Sequence, residues 1–272
     1  DGGDDGFGAP ARVGTPNGVP IEKQYDSIRN RYADSVVWMK APNGANSNLS
    51  ENDWIAVRTP DFKAKFGDWE RFTQFAFLDG NPVVALKGDE INPNEKLTES
   101  VMRYFRNVIG KTVFSNRAVS GIEIKEKSIK SSIAKGIFPE KKSTFAALGD
   151  VLERGIVVDF QKNWKGRGYD TAVIAAPVSV NEVPYVVAAV VELKGKNKFY
   201  VHDVVAKERL GNALLTQHHP QADYLSASRA SVVNVLYDIF KVNKNISLIL
   251  DENGEPILKD VHLPIKMILK SA

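Results

Sequence analysis

A histidine on a β-rich run and a cationic loop are the groups in this sequence best suited to chemistry. His202 lies in Phe199-Tyr200-Val201-His202-Asp203. Lys165 and Arg167 lie in Lys162-Asn163-Trp164-Lys165-Gly166-Arg167-Gly168-Tyr169-Asp170, flanked by two aromatics. Cleaving RNA without a metal takes a base for the ribose 2′-hydroxyl, an acid for the leaving oxygen, and cations where charge builds on the phosphate. An imidazole titrating at about pH 6.5 serves either proton-transfer role. A guanidinium grips phosphate oxygens in pairs, and Trp or Tyr beside the cations stacks an unpaired base. The expected catalytic groups are therefore His202, Arg167, Lys165 and Lys135. Trp164, Tyr169, Lys130, Lys127 and Tyr200 are expected to hold the nucleic acid. Strand alternation places Tyr200 and His202 on one face, with Phe199, Val201 and Asp203 on the other. The plainer readings are a structural hydrogen bond for His202 and a solvent hairpin with Arg167 paired to Asp170.

Other chemistries lack their residues. The 272 residues include no cysteine, which removes thiol nucleophiles, disulfides and cysteine-bound zinc. His218-His219 offers two ligands without a third at suitable spacing, and Asp1-Gly2-Gly3-Asp4-Asp5 lacks the alternating oxygens of a calcium loop. No strand–glycine-loop–helix unit surrounds Gly166 and Gly168, so they serve turn geometry. Neither a metal nor a cofactor is expected.

Positioning these groups falls to an α+β arrangement. Lys127 to Lys135 reads as a helix with Ile129, Ile133 and Ala134 inward and Lys127, Lys130, Ser131 and Lys135 outward. A second helix carries Phe145, Ala146, Leu148, Val151 and Leu152, and Gly155 stops it. Four β-rich runs follow: Ile156–Phe160, Thr171–Val178, Tyr185–Leu193 and Phe199–Val205. Short turns at Asn181-Glu182 and Gly195-Lys196-Asn197 predict an antiparallel meander. The expected core is thus two helices packed on a four-stranded antiparallel sheet spanning 116–208. Residues 1–45 read as a flexible segment and a helix from Gln24 to Lys40, and 46–115 as a small α+β region. In that region Phe72–Leu78 and Pro82–Lys87 are read as two strands, and Leu97–Ile109 as an amphipathic helix. Residues 209–272 read as a helix at Ala230–Phe240 and a hairpin about Asn253-Gly254.

Charge follows the same division. Residues 96–208 hold 19 Lys and Arg against 12 Asp and Glu, a balance of +7. Residues 1–95 stand at −5 and 209–272 at +1, giving +3 overall. The basic segment is the one carrying the candidate site, as a nucleic-acid-contacting module would be. No apolar run approaches the roughly 18 residues of a membrane span. An aspartate at position 1 reads as a piece of a longer chain.

These residues also carry a resemblance. Lys127-Ser128-Ile129-Lys130, Phe145-Ala146-Ala147-Leu148, Lys165-Gly166-Arg167-Gly168-Tyr169-Asp170-Thr171, Ala175-Ala176-Pro177-Val178 and Phe199-Tyr200-Val201-His202-Asp203-Val204 occur in that order. Together they resemble a domain of large polyvalent phage and mobile-element proteins, grouped with the barnase/EndoU/colicin/RelE-like (BECR) toxin nucleases. Phe66-Gly67-Asp68-Trp69 and Asp251-Glu252-Asn253-Gly254-Glu255-Pro256 are similar to segments of the same proteins. The resemblance implies a BECR-like fold and a toxin-like, metal-independent endoribonuclease cleaving single-stranded RNA or tRNA. Its implied partners are tRNA or mRNA and an immunity protein, and its implied setting is a secreted or injected effector acting in a target-cell cytoplasm. Family members often carry histidine near Ser131 and Lys135, and this sequence departs from them at both positions. Two other readings stand beside it. One is a noncatalytic nucleic-acid- or protein-binding module; the other is an ADP-ribosyltransferase-like effector using Glu192.

Overall fold

The four β-branched runs form the centre of the molecule. The computed structural model describes residues 18–92, 94–134, 139–212, 227–259 and 261. Its N-terminal half holds α1 (Ile21–Tyr32), α2 (Glu51–Ala56), α3 (Pro60–Phe66), α4 (Trp69–Asp79), β1 (Val84–Leu86), α5 (Leu97–Tyr104), β2 (Val113–Phe114) and β3 (Ile122–Glu123). Then come α6 (Glu126–Ala134), α7 (Pro139–Thr144), α8 (Leu148–Arg154), β4 (Ile156–Gln161), β5 (Asp170–Val180), β6 (Val183–Leu193), β7 (Lys198–Ala206), α9 (Lys207–Asn212) and α10 (Ala227–Phe240). The class is α+β.

Strands β4 to β7 pair antiparallel in sequence order. The β5–β6 turn is made by Asn181 and Glu182, both with positive φ (49° and 64°), as the twist of a two-residue hairpin requires. Among the described residues the sheet nevertheless has seven strands, not four. β1 adds parallel to β5 beside β4, β3 adds parallel to β7, and β2 closes the far edge. Three strands of two or three residues carry too little pattern to be read from sequence.

Helices cover both faces of this sheet. On one face α6 and α8 bury Ile129, Leu148 and Leu152 against Ile174, Ala189, Val191 and Phe199. On the other, α4 and α10 bury Phe75, Leu78, Leu236 and Ile239 against Val173, Ala175, Ala188 and Val190. The physical reason lies in β5, whose Thr171–Val178 run is buried throughout rather than at alternate positions.

Residues 72–78 are helical, a correction to the strand expected there. Asp68 accepts a hydrogen bond from Arg71 N and caps α4, and Phe75 and Leu78 face the core at helical spacing. The first helix ends at Tyr32 rather than Lys40. From α4, Arg71 Nη1 donates to Val158 O at 2.8 Å, while Arg31 Nη2 from the end of α1 reaches Phe160 O at 3.4 Å. Side-chain donors thus stand beside β4 where a further strand would otherwise pair.

The first four helices enclose a second core around Trp54 and Trp69. Here the Phe-Gly-Asp-Trp segment has a structural role. Trp69 is fully buried and donates from Nε1 to Val57 O. Glu70 accepts from Arg58 Nε at 3.1 Å and Lys63 Nζ at 3.0 Å. The Asp251–Pro256 turn closes over the same region. Buried Glu255 accepts from Ser47 Oγ at 2.7 Å and Asn48 N at 3.0 Å, and Ser247 N donates to Phe66 O. The expected C-terminal hairpin reduces to one bridge, Leu250 with Pro256. Among the described residues no helix is long and apolar enough to cross a membrane.

Candidate functional site

β7 delivers His202 to the sheet's interior. The ladder with β6 pairs Val190 with Val201 and Val191 with Phe199, which leaves Tyr200 inserted without a partner residue. Such a bulge advances the chain by one residue and reverses side-chain parity. Phe199 and His202 therefore share a face, with ring centroids 6.0 Å apart, instead of lying on opposite faces as alternation predicted. The imidazole is wholly buried. Phe145 meets it edge-on at 4.4 Å, and Nδ1 lies 2.7 Å from Ser132 Oγ.

The partner of this histidine and a buried lysine bonded to that partner were not singled out in the sequence. Ser132 is buried on the inner side of α6 with Ser128 and Ile129. Serines interrupting an apolar stripe are the available signal, since a buried hydroxyl needs a polar neighbour. Lys141 is also fully buried, and its Nζ donates to Ser132 O at 3.0 Å near the end of α6. Nothing in Glu140-Lys141-Lys142 separates it from a surface lysine.

The expected cations stay in water. Lys127 and Lys130 lie on the outer side of α6, with Lys130 paired to Glu126. Lys135 and His218-His219 fall outside the described residues, as does the side chain of Tyr200. Lys165 and Arg167 are exposed, each 4.9 Å from the ring centre of Trp164. Tyr169 packs on the same indole at 5.8 Å. Trp164 is only 9% exposed, so its ring is occupied by these neighbours and offers no platform to a base. Glu192 is ion-paired with Lys198 at 3.0 Å.

Loop 162–169 is tightly built. Asn163 N donates to Asp170 Oδ1, Trp164 N to Tyr169 O, Arg167 N to Trp164 O and Gly168 N to Asn163 Oδ1, all within 3.0 Å. Asp170 is thereby a turn acceptor rather than the expected partner of Arg167. Lys165 sits at φ 50°, ψ 33°, a left-handed conformation that costs a non-glycine residue about 1 kcal/mol. Strain held at one exposed cation motivates a functional reading of that side chain. Lys165→Gly is expected to raise the melting temperature by relieving the strain while weakening any anion binding. A lower melting temperature would mean that the side chain is there for packing.

The structure does not bring loop and histidine together. Ile174, Ala189 and His202 stand in line across β5, β6 and β7, four residues along β5 from Asp170. At about 3.4 Å per residue and 4.8 Å per strand, His202 and the loop are roughly 17 Å apart. The chain matches no protein-family model, no curated protein and no solved structure. The described residues thus offer a buried imidazole within the sheet and a strained cationic loop at one of its ends.

Proposed function

We propose that this chain is a noncatalytic RNA-binding module on a BECR-like frame, in which 116–208 supply α6, α8 and strands β4 to β7. A contrast in exposure supports this reading. Lys165 and Arg167 project into water, whereas His202, the histidine expected to transfer protons, is sealed between Phe145, Phe199 and Ser132. A general acid or base has to reach the proton it moves. His202 in this setting holds α6 to β7 instead. With Trp164 already covered, the loop contacts phosphates rather than bases, so binding is sequence-tolerant and electrostatic.

The test is a salt titration. Affinity for a fluorescent RNA should fall linearly in log–log form as salt rises, and Lys165→Ala with Arg167→Ala should flatten the slope by about 1.5. An unchanged slope would move the contact elsewhere. Total RNA incubated with wild-type protein should remain intact; cleavage that His202→Ala abolishes would replace this reading with the ribonuclease one, immunity partner included.

A further inference from the structure

We infer that the nucleic-acid contact is not the loop alone but a cationic rim along one whole end of the sheet; this rests on the reading above. Asp170 pairs with Leu193, so the β4–β5 loop and the β6–β7 turn leave the sheet at the same end. Lys198, the first residue of β7, pairs with Glu192 on β6 and Glu123 on β3. β3 runs parallel to β7 and so enters the sheet at this end, and Lys125, two residues past Glu123, reaches back to its carboxylate. Three segments separated in sequence thus place Lys165 and Arg167, Lys194 and Lys196, and Lys125 along one edge.

Acidic residues at this end sit lower than the cations. The Glu123 side chain is 15% exposed and bridges Lys125 and Lys196 at 3.3 Å each, while the Lys196 side chain is 81% exposed. The Glu192 side chain is 12% exposed beneath Lys198. Recessed carboxylates orient the lysines without presenting negative charge to a partner. From the β4–β5 loop to β3 the rim crosses four strand spacings, roughly 20 Å. A ligand that matches such a strip is a polymer with charge at regular intervals, a sugar–phosphate backbone, rather than a single phosphate. The rim belongs to residues 96–208, the segment with the +7 balance, in a chain whose first 95 residues are acidic.

The decisive experiment compares Lys194→Ala/Lys196→Ala with Lys87→Ala, an exposed lysine beyond β1 at the opposite end of the sheet. Each is titrated against RNA and DNA strands of equal length at several salt concentrations. The rim variant should lower the salt slope by about 1.5 and add to the effect of the loop variant, and Lys87→Ala should change neither. Equal losses on RNA and DNA identify backbone charge as the ligand; a loss on RNA alone identifies contacts to the ribose as well. Retained binding with an unchanged slope in the rim variant, or an equal loss in Lys87→Ala, overturns the rim while leaving the loop as a site. Wild-type protein that binds neither polymer overturns both.

Discussion

Glu70→Ala is expected to cost about 3 kcal/mol of stability, among the largest effects of any single substitution here. The Arg58 side chain is 3% exposed, lies 3.7 Å over the Trp54 ring, and donates to the carbonyls of Trp54 and Lys40. Glu70 supplies its counter-charge, and that of Lys63. Removing one partner of a buried ion pair leaves the other charge uncompensated, which costs about 3–5 kcal/mol. The Glu70 side chain keeps 23% of its surface in water, so screening holds the loss to the lower end of that range. The pair also carries a pH signature. Burial alone would raise the Glu70 carboxyl, but Lys63 and Arg58 outweigh burial and hold it at about 2, against an ordinary 4.5. A carboxyl depressed on folding stabilises fully above its unfolded value, and that contribution is lost as pH falls through its folded one. Urea unfolding of wild-type protein should therefore show stability dropping between about pH 4.5 and 2 more steeply than in Glu70→Gln. Parallel curves would mean that the ion pair is not coupled to folding.

His202→Ala is expected to lose about 2–4 kcal/mol. Deleting a wholly buried ring opens a void between Phe145 and Phe199 and strips Ser132 Oγ of its partner. For a chain of this size that corresponds to a melting temperature lower by roughly 5–10 °C. His202→Asn keeps a polar atom near the Nδ1 position and should recover part of the loss. RNA affinity should be unchanged wherever the variant remains folded. A His202→Ala protein as stable as wild type would contradict the interior role assigned to this residue.

How much of this was legible depended on how local its cause is. Strands β4 to β7 announced themselves through β-branched runs and the turns at Asn181-Glu182 and Gly195-Lys196-Asn197, and α6 through its isoleucine spacing. Phe72–Leu78 misled because aromatics at neighbouring positions suit either period; the cap at Asp68 was the signal that decides for a helix. The inserted Tyr200 could not be read from its own sequence, because a bulge exists only relative to the β6 ladder. That single residue moved His202 to the face shared with Phe199, where α6 and Phe145 cover it, and so changed the functional reading. The Arg58–Glu70 pair is likewise invisible until α2, α3 and α4 pack. The exposed cations were legible as cations, but their alignment along one end needed the strand pairing.

The contact of Glu255 with Ser47 and Asn48 has a consequence for synthesis. Its partners are separated by 208 residues, so the N-terminal helices cannot complete their hydrogen bonds until the far end of the chain has emerged. At about 5–20 residues per second, that leaves a nascent chain waiting on the order of 10–40 s. For that interval the core around Trp54 and Trp69 lacks Leu248, Leu250 and Leu258, which pack against it in the finished fold. A ribosome pausing before residue 245 would lengthen the window in which this protein is open to chaperones and proteases, before any part of its sheet is at fault.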